Sequence, residues 1–294
     1  MRRARYFGRY LTARGGGAPA SLADQWPSPL TPDLLATASS SRTTVTAAAS
    51  ATPHTEGSWV EVDASLAADA YGIQIVPTAA VSLSGNNSST LLEIGTGAGG
   101  AETVWATVAV GYYIASSLSQ PFTVPGFIAA GTRVAVRLRS AVASQSFSPL
   151  IHFLSGSGKG VAPGAPVTMG VDTATSKGVS IAAPGALNTK GAWTEIEDAT
   201  AFPFGALVVC PQADGGTGMS ATGVLVDVGI GAAAAEAVLI GDIYLGGQSI
   251  EQYTRPNPLT YGVTIPAGSR LSVRYARANA GNALDCFLVG TRAA

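Results

Sequence analysis

A chain of 294 residues with a formal net charge of −1 has no global electrostatic drive toward nucleic acid or anionic lipid. Charged residues make up 12%, about half the usual share of roughly 25%, while aliphatic and glycine content is high, which excludes a wholly disordered chain. No apolar run reaches the ~18 residues a membrane helix needs, so no membrane insertion is expected.

Residues 1–40 come first and differ from the rest. Arg2, Arg3, Arg5 and Arg9 alternate with Tyr6, Phe7 and Tyr10, and a triple glycine and a proline-bearing stretch follow. No apolar core of a signal peptide accompanies the arginines, and neither strand nor helix periodicity is sustained. This segment reads as a docking arm, its aromatics as anchors and its arginines as hydrogen-bonding groups for a partner subunit. Without a folded platform, the same residues are a weak signal for single-stranded nucleic acid.

The remainder repeats itself. Gly57-Ser58-Trp59-Val60-Glu61-Val62 returns 134 residues on as Gly191-Ala192-Trp193-Thr194-Glu195-Ile196. Glu93-Ile94-Gly95-Thr96-Gly97-Ala98 returns at the same offset as Asp227-Val228-Gly229-Ile230-Gly231-Ala232, and Glu102 as Glu236. Ala130–Arg137 meets Ala267–Arg274 at an offset of 137, so the second copy has a loop three residues longer. Phe153-Leu154-Ser155-Gly156 against Phe287-Leu288-Val289-Gly290 suggests that the offset then returns to 134.

Each copy reads as about eight short strands. In the first these lie near 43–48, 58–63, 72–77, 90–95, 103–111, 121–128, 132–139 and 150–154. Arg133–Arg139 alternates cation and aliphatic, as a strand with one wet face does. Turn clusters at Ser84–Asn87 and Asp214–Gly216 fall between strands. The expected fold is all-β: two tandem antiparallel β-sandwiches, jelly-roll-like, over 41–156 and 177–294, joined by a Gly/Pro-rich linker over 157–176.

Candidate chemistry is thin. Gly95, Gly97 and Gly100 fit G-x-G-x-x-G, and Gly229 and Gly231 fit its looser form, but a strand rather than a helix follows each. Without a helix N-terminus or a downstream acid for the ribose, these glycines read as structural turns and not a cofactor site. Glu102 and Glu236 follow the turns, and their expected partners are Arg137 and Arg274. Only two histidines exist, His54 and His152, with Asn188 and Cys286 as their counterparts at offset 134, so neither a metal site nor a catalytic triad is expected. Cys210 and Cys286 read as buried free thiols. Trp59 and Trp193 are expected to pack across their own cores. Trp105, unmatched in the second copy, and the neighbouring Tyr112 and Tyr113 are the candidate ligand-facing aromatics.

The segment Asp227–Glu236 and its counterpart resemble a stretch recurring in virion proteins of tailed phages and gene transfer agents, of tail-fibre, baseplate-associated or head-spike type. That resemblance implies a non-enzymatic virion component, assembled in the bacterial host cytoplasm as a homo-oligomer with other virion proteins, with a contribution to host attachment. It carries over no catalytic, cofactor or metal residues. The alternative reading is a carbohydrate-binding adhesion module for host-surface polysaccharide.

Overall fold

The computed structural model describes residues 45–77, 89–110, 121–155, 161–213, 223–245, 258–278 and 284–294. The arm, Tyr112, Tyr113 and both turn clusters noted above lie outside them. The fold is all-β, as its sequence pattern implies, with nineteen strands and no helix among the described residues.

In the first copy the strands are β1 (Ala47–Ala48), β2 (Val60–Asp63), β3 (Ala70–Pro77), β4 (Thr90–Thr96), β5 (Thr103–Ala109), β6 (Phe122–Ile128), β7 (Val134–Ser140), β8 (Ser146–Phe147) and β9 (Pro149–Phe153). One sheet has the order β2-β7-β4-β5, the other β6-β3-β9. The pair β1-β8 continues the second sheet beyond Ser148, whose hydroxyl meets that of Thr46 at 2.9 Å. The chain therefore crosses between two four-stranded antiparallel sheets, in jelly-roll-like order. Strands β10 (Val167–Met169) and β11 (Val171–Asp172) follow.

The second copy is built from β12 (Lys177–Ile181), β13 (Thr194–Glu197), β14 (Phe204–Ala213), β15 (Val224–Ile230), β16 (Ala237–Leu245), β17 (Leu259–Ile265), β18 (Leu271–Arg277) and β19 (Leu284–Arg292). Its sheets, β13-β18-β15-β16 and β12-β19-β14-β17, repeat the first pair strand for strand. Two expectations are corrected here. Residues 167–172, assigned to the linker, are strands, because Val167, Thr168 and Met169 pair with Gly290, Val289 and Leu288 of β19. The last strands also keep the offset of 137. Ile75 faces Ile151 in the first copy and Val209 faces Leu288 in the second, so the counterpart of His152 is Val289 rather than Cys286. The offset of 134 aligns Phe153 with Phe287 in the sequence, but only 137, which sets Leu150 against Phe287, satisfies the hydrogen-bond ladder.

Alternation decides the layers. Val134, Val136 and Leu138 of β7 point into the first core, and Leu271, Val273 and Tyr275 of β18 into the second. Strands β14 and β19 do not alternate and are buried almost throughout. Their two faces serve different cores: Leu207, Val209 and Leu288 join the second, while Val208, Cys210, Phe287 and Val289 join the first. A strand covered on both faces needs apolar residues at successive positions, which is why this stretch reads as a continuous run. The edge formed by β5 and β6 of the first sandwich thus rests on the outer face of the second. Thr291 Oγ1 donates to Pro125 O at 2.8 Å across that contact, and Thr260 Oγ1 donates to Thr123 O.

Candidate functional site

The outer face of each sheet that holds the G-x-G turn carries a chain of ion pairs, and alternation along β7 and β18 places it there. Arg137 stands opposite Glu93 in the ladder and meets it at 2.5 Å, Nε to Oε2. Arg139 Nε reaches the other oxygen at 3.2 Å, and Glu56 bridges to Arg139 at 2.9 Å. In the second copy Arg274 meets Asp227 at 3.0 Å, but the second cation is Lys190, 2.6 Å from the carboxylate. Lys190 is the counterpart of Glu56, and Ala276 that of Arg139. A buried carboxylate left with one partner is costly, so the lost arginine is offset by a lysine entering from a neighbouring loop. Burial pushes the Asp227 carboxyl up, but the Asp242 N–H, Lys190 and Arg274 outweigh it and hold it below the ordinary range.

Trp59 and Trp193 lie on this outer face and not in the cores where they were expected. The guanidinium of Arg137 sits 4.4 Å from the centre of the Trp59 ring, and that of Arg274 sits 4.2 Å from Trp193. Each indole lies across the first glycine of the turn motif. A Cβ on Gly95 would fall 2.6 Å from Trp59 Cη2, and one on Gly229 would fall 2.8 Å from Trp193 Cη2. These glycines therefore leave room for an indole, not for a ligand.

The second glycine has a conformational reason. Gly97 and Gly231 take φ of +117° and +123°, which L side chains rarely adopt. An arginine then closes each turn. Arg133 Nη1 meets Glu102 at 2.7 Å, its Nε meets Glu61 at 2.7 Å, and Arg270 binds Glu236 and Glu195 in the same way. The expected partners Arg137 and Arg274 are corrected to Arg133 and Arg270. Because Thr96 pairs with Val134, Arg133 just before β7 lies beside the turn, and Arg137 is four positions further along. The Glu102 carboxylate also accepts from its own N–H, which with Arg133 and the Gly100 N–H outweighs burial and holds it below the ordinary range. At Glu236 burial pushes the carboxyl up, but its own N–H, Arg270 and the Ala234 N–H prevail. Backbone donors that a phosphate would need are thus turned onto the chain's own anion.

Trp105 is corrected from a ligand-facing position. It is 4% exposed, and its Nε1 donates to Phe127 O at 3.1 Å. Gly126 leaves room for it, since a Cβ there would fall 2.6 Å from the ring and from Pro166. Its place at the β5–β6 edge, which the second sandwich covers, explains the burial. Cys210 and Cys286 are free and buried, and burial pushes the Cys210 thiol up to about 12. His54 Nδ1 shares a hydrogen bond with Ser176 Oγ at 3.1 Å. Among the described residues no group of three or more His, Cys, Asp or Glu is placed to hold a metal ion.

Sequence reasoning missed Lys190, Asp242 and the exposed Leu225–Tyr244 pair. Lys190 carried a signal, since it replaces Glu56 where Arg139 is also lost. No family model matches the chain, and no curated protein matches it either.

Proposed function

We propose that this chain is a non-enzymatic structural component of a phage-like virion, built as a symmetric homo-oligomer in the bacterial host cytoplasm and held to other virion proteins by its N-terminal arm. The observation that supports this reading most is the shared sheet. One face of β12-β19-β14-β17 belongs to each core, so the sandwiches are packed against each other through apolar side chains and not strung on a loose linker. A stiff two-sandwich body with few charges suits repetitive packing on a particle. The buried acids Glu93, Asp227, Glu102 and Glu236 are each bound by at least one cation, which supports a structural role over proton transfer. Trp105, the one described member of the aromatic trio, offers a polysaccharide no exposed ring.

Deleting residues 2–20 tests the anchoring. Particles assembled with the shortened chain should lose it while the chain itself stays folded; incorporation at full occupancy would remove the arm from the proposal.

A further inference from the structure

The two sandwiches carry the same edge, but among the described residues only one of these edges is covered. In the first copy β5 and β6 lie under the second sandwich: Leu91 is 0% and Ala109 1% exposed, and Cys210 packs against the Ala109 backbone. In the second copy the counterparts, Leu225 and Tyr244, face each other across β15 and β16 and are 37% and 61% exposed. On β17, in the facing sheet of that sandwich, Leu259, Tyr261 and Val263 pack against the second core yet stay only half-buried.

The face that covers such an edge is also present twice. In the second copy it presents Val208, Cys210, Phe287 and Val289, all buried in the internal contact. The first copy presents Gln74, Val76, Leu150 and His152 at the same ladder positions, all partly exposed. Thr123 stands in the first copy where Thr260, the donor across the internal contact, stands in the second.

We propose that the open β16–β17 edge is a docking site for a second copy of this chain, whose first sandwich covers it with the face around Val76 and Leu150. The internal contact joins two different surfaces, so its repetition between chains is head-to-tail and closes into a ring or runs on as a filament. Val76 and Leu150 supply apolar area opposite Tyr244 and Leu225. Gln74 and His152 replace two valines, so the contact between chains is more polar and weaker than the internal one. This inference deepens the assembly reading and rests on it for the choice of occupant.

The test uses two variants of the full chain, Tyr244→Asp on the edge and Leu150→Asp on the face, both checked for an unchanged thermal midpoint. In sedimentation velocity the unmodified chain should associate with rising concentration. Each variant alone should associate at least tenfold more weakly. An equimolar mixture should regain a two-chain species, because each variant keeps the surface the other has lost. If either variant loses its fold, Leu225→Lys or Val76→Lys takes its place. Association that persists in both variants would overturn this interface and leave the virion reading in place. An unmodified chain that stays monomeric would overturn the interface, as would one that associates only with a different protein. Particle incorporation would still decide the virion reading separately.

Discussion

The two sandwiches share their strand order, but they meet the same physical demands with different residues. In the first, Phe153 stands where the second has Gly290, and Ala70 stands where the second has Phe204. A Cβ on Gly290 would fall 2.6 Å from the Phe204 ring, so the aromatic ring has moved to the neighbouring strand and a glycine has made room for it. Trp105 with Gly126 becomes Leu239 with Val263 in the same manner, and the pair Glu56 and Arg139 becomes Lys190 and Ala276. Local volume, and the two cations on each buried carboxylate, are conserved as sums over neighbours while the single positions vary. Close packing and the cost of an unpaired buried charge both act on such sums.

The largest effect is expected where the difference is greatest. Trp105→Ala should destabilise the chain by about 3–5 kcal/mol, because the cavity opens between the sandwiches. Leu239→Ala, at the matching exposed edge, should cost clearly less in the same denaturant titration. Next, Arg139→Ala should cost about 3 kcal/mol by leaving Glu93 with one cation. Adding Glu56→Lys should recover part of that loss, since it copies the second sandwich; a double-mutant cycle with no coupling would break the analogy. Gly95→Ala and Gly229→Ala should each cost about 1–3 kcal/mol through overpacking against an indole. They should also shift tryptophan fluorescence, which a distant defect would leave unchanged.

A smaller effect tests the turns. Gly100 takes φ of +80°, but its counterpart Ala234 takes +63°. Ala234→Gly relieves about 1–2 kcal/mol of left-handed strain and adds about 0.5–1 kcal/mol of unfolded-state entropy. A net gain of up to about 1.5 kcal/mol should appear as a raised thermal midpoint, whereas Gly100→Ala should lower it. Acid titration gives the last test. Glu102, Asp227 and Glu236 lie below their ordinary values, so their contribution is fully present above the usual carboxylate range. It is lost as pH falls through about 4 toward the folded values, which a series of melts from neutral to acid pH would trace. A midpoint that stays flat through that range would contradict these assignments.

Much of this was legible in the sequence because it is local. Alternation in Arg133–Arg139 gave the strand and its wet face, and the repeated glycines marked the turns. The pairing of Glu102 was not legible, since alternation names a face but not a register, and register decides between Arg133 and Arg137. Trp105 misled because a residue unmatched in a repeat was read as free to serve a ligand. Its partner is the other copy, and an internal repeat carries no signal of how its two copies pack. The last-strand offset failed for a similar reason, as short apolar matches occur at both 134 and 137.

The shared sheet also orders events during synthesis. When Ala109 has been made, the edge around Trp105 lacks its full cover until Val289, 180 residues later, is in place. At roughly 5–20 residues per second that interval is about 10–40 s. Through it the nascent first sandwich presents Trp105, Val108 and Ala109 to whatever else is nearby, including the edges of chains on adjacent ribosomes. The feature that locks the finished molecule together is thus also its period of greatest vulnerability to misassembly.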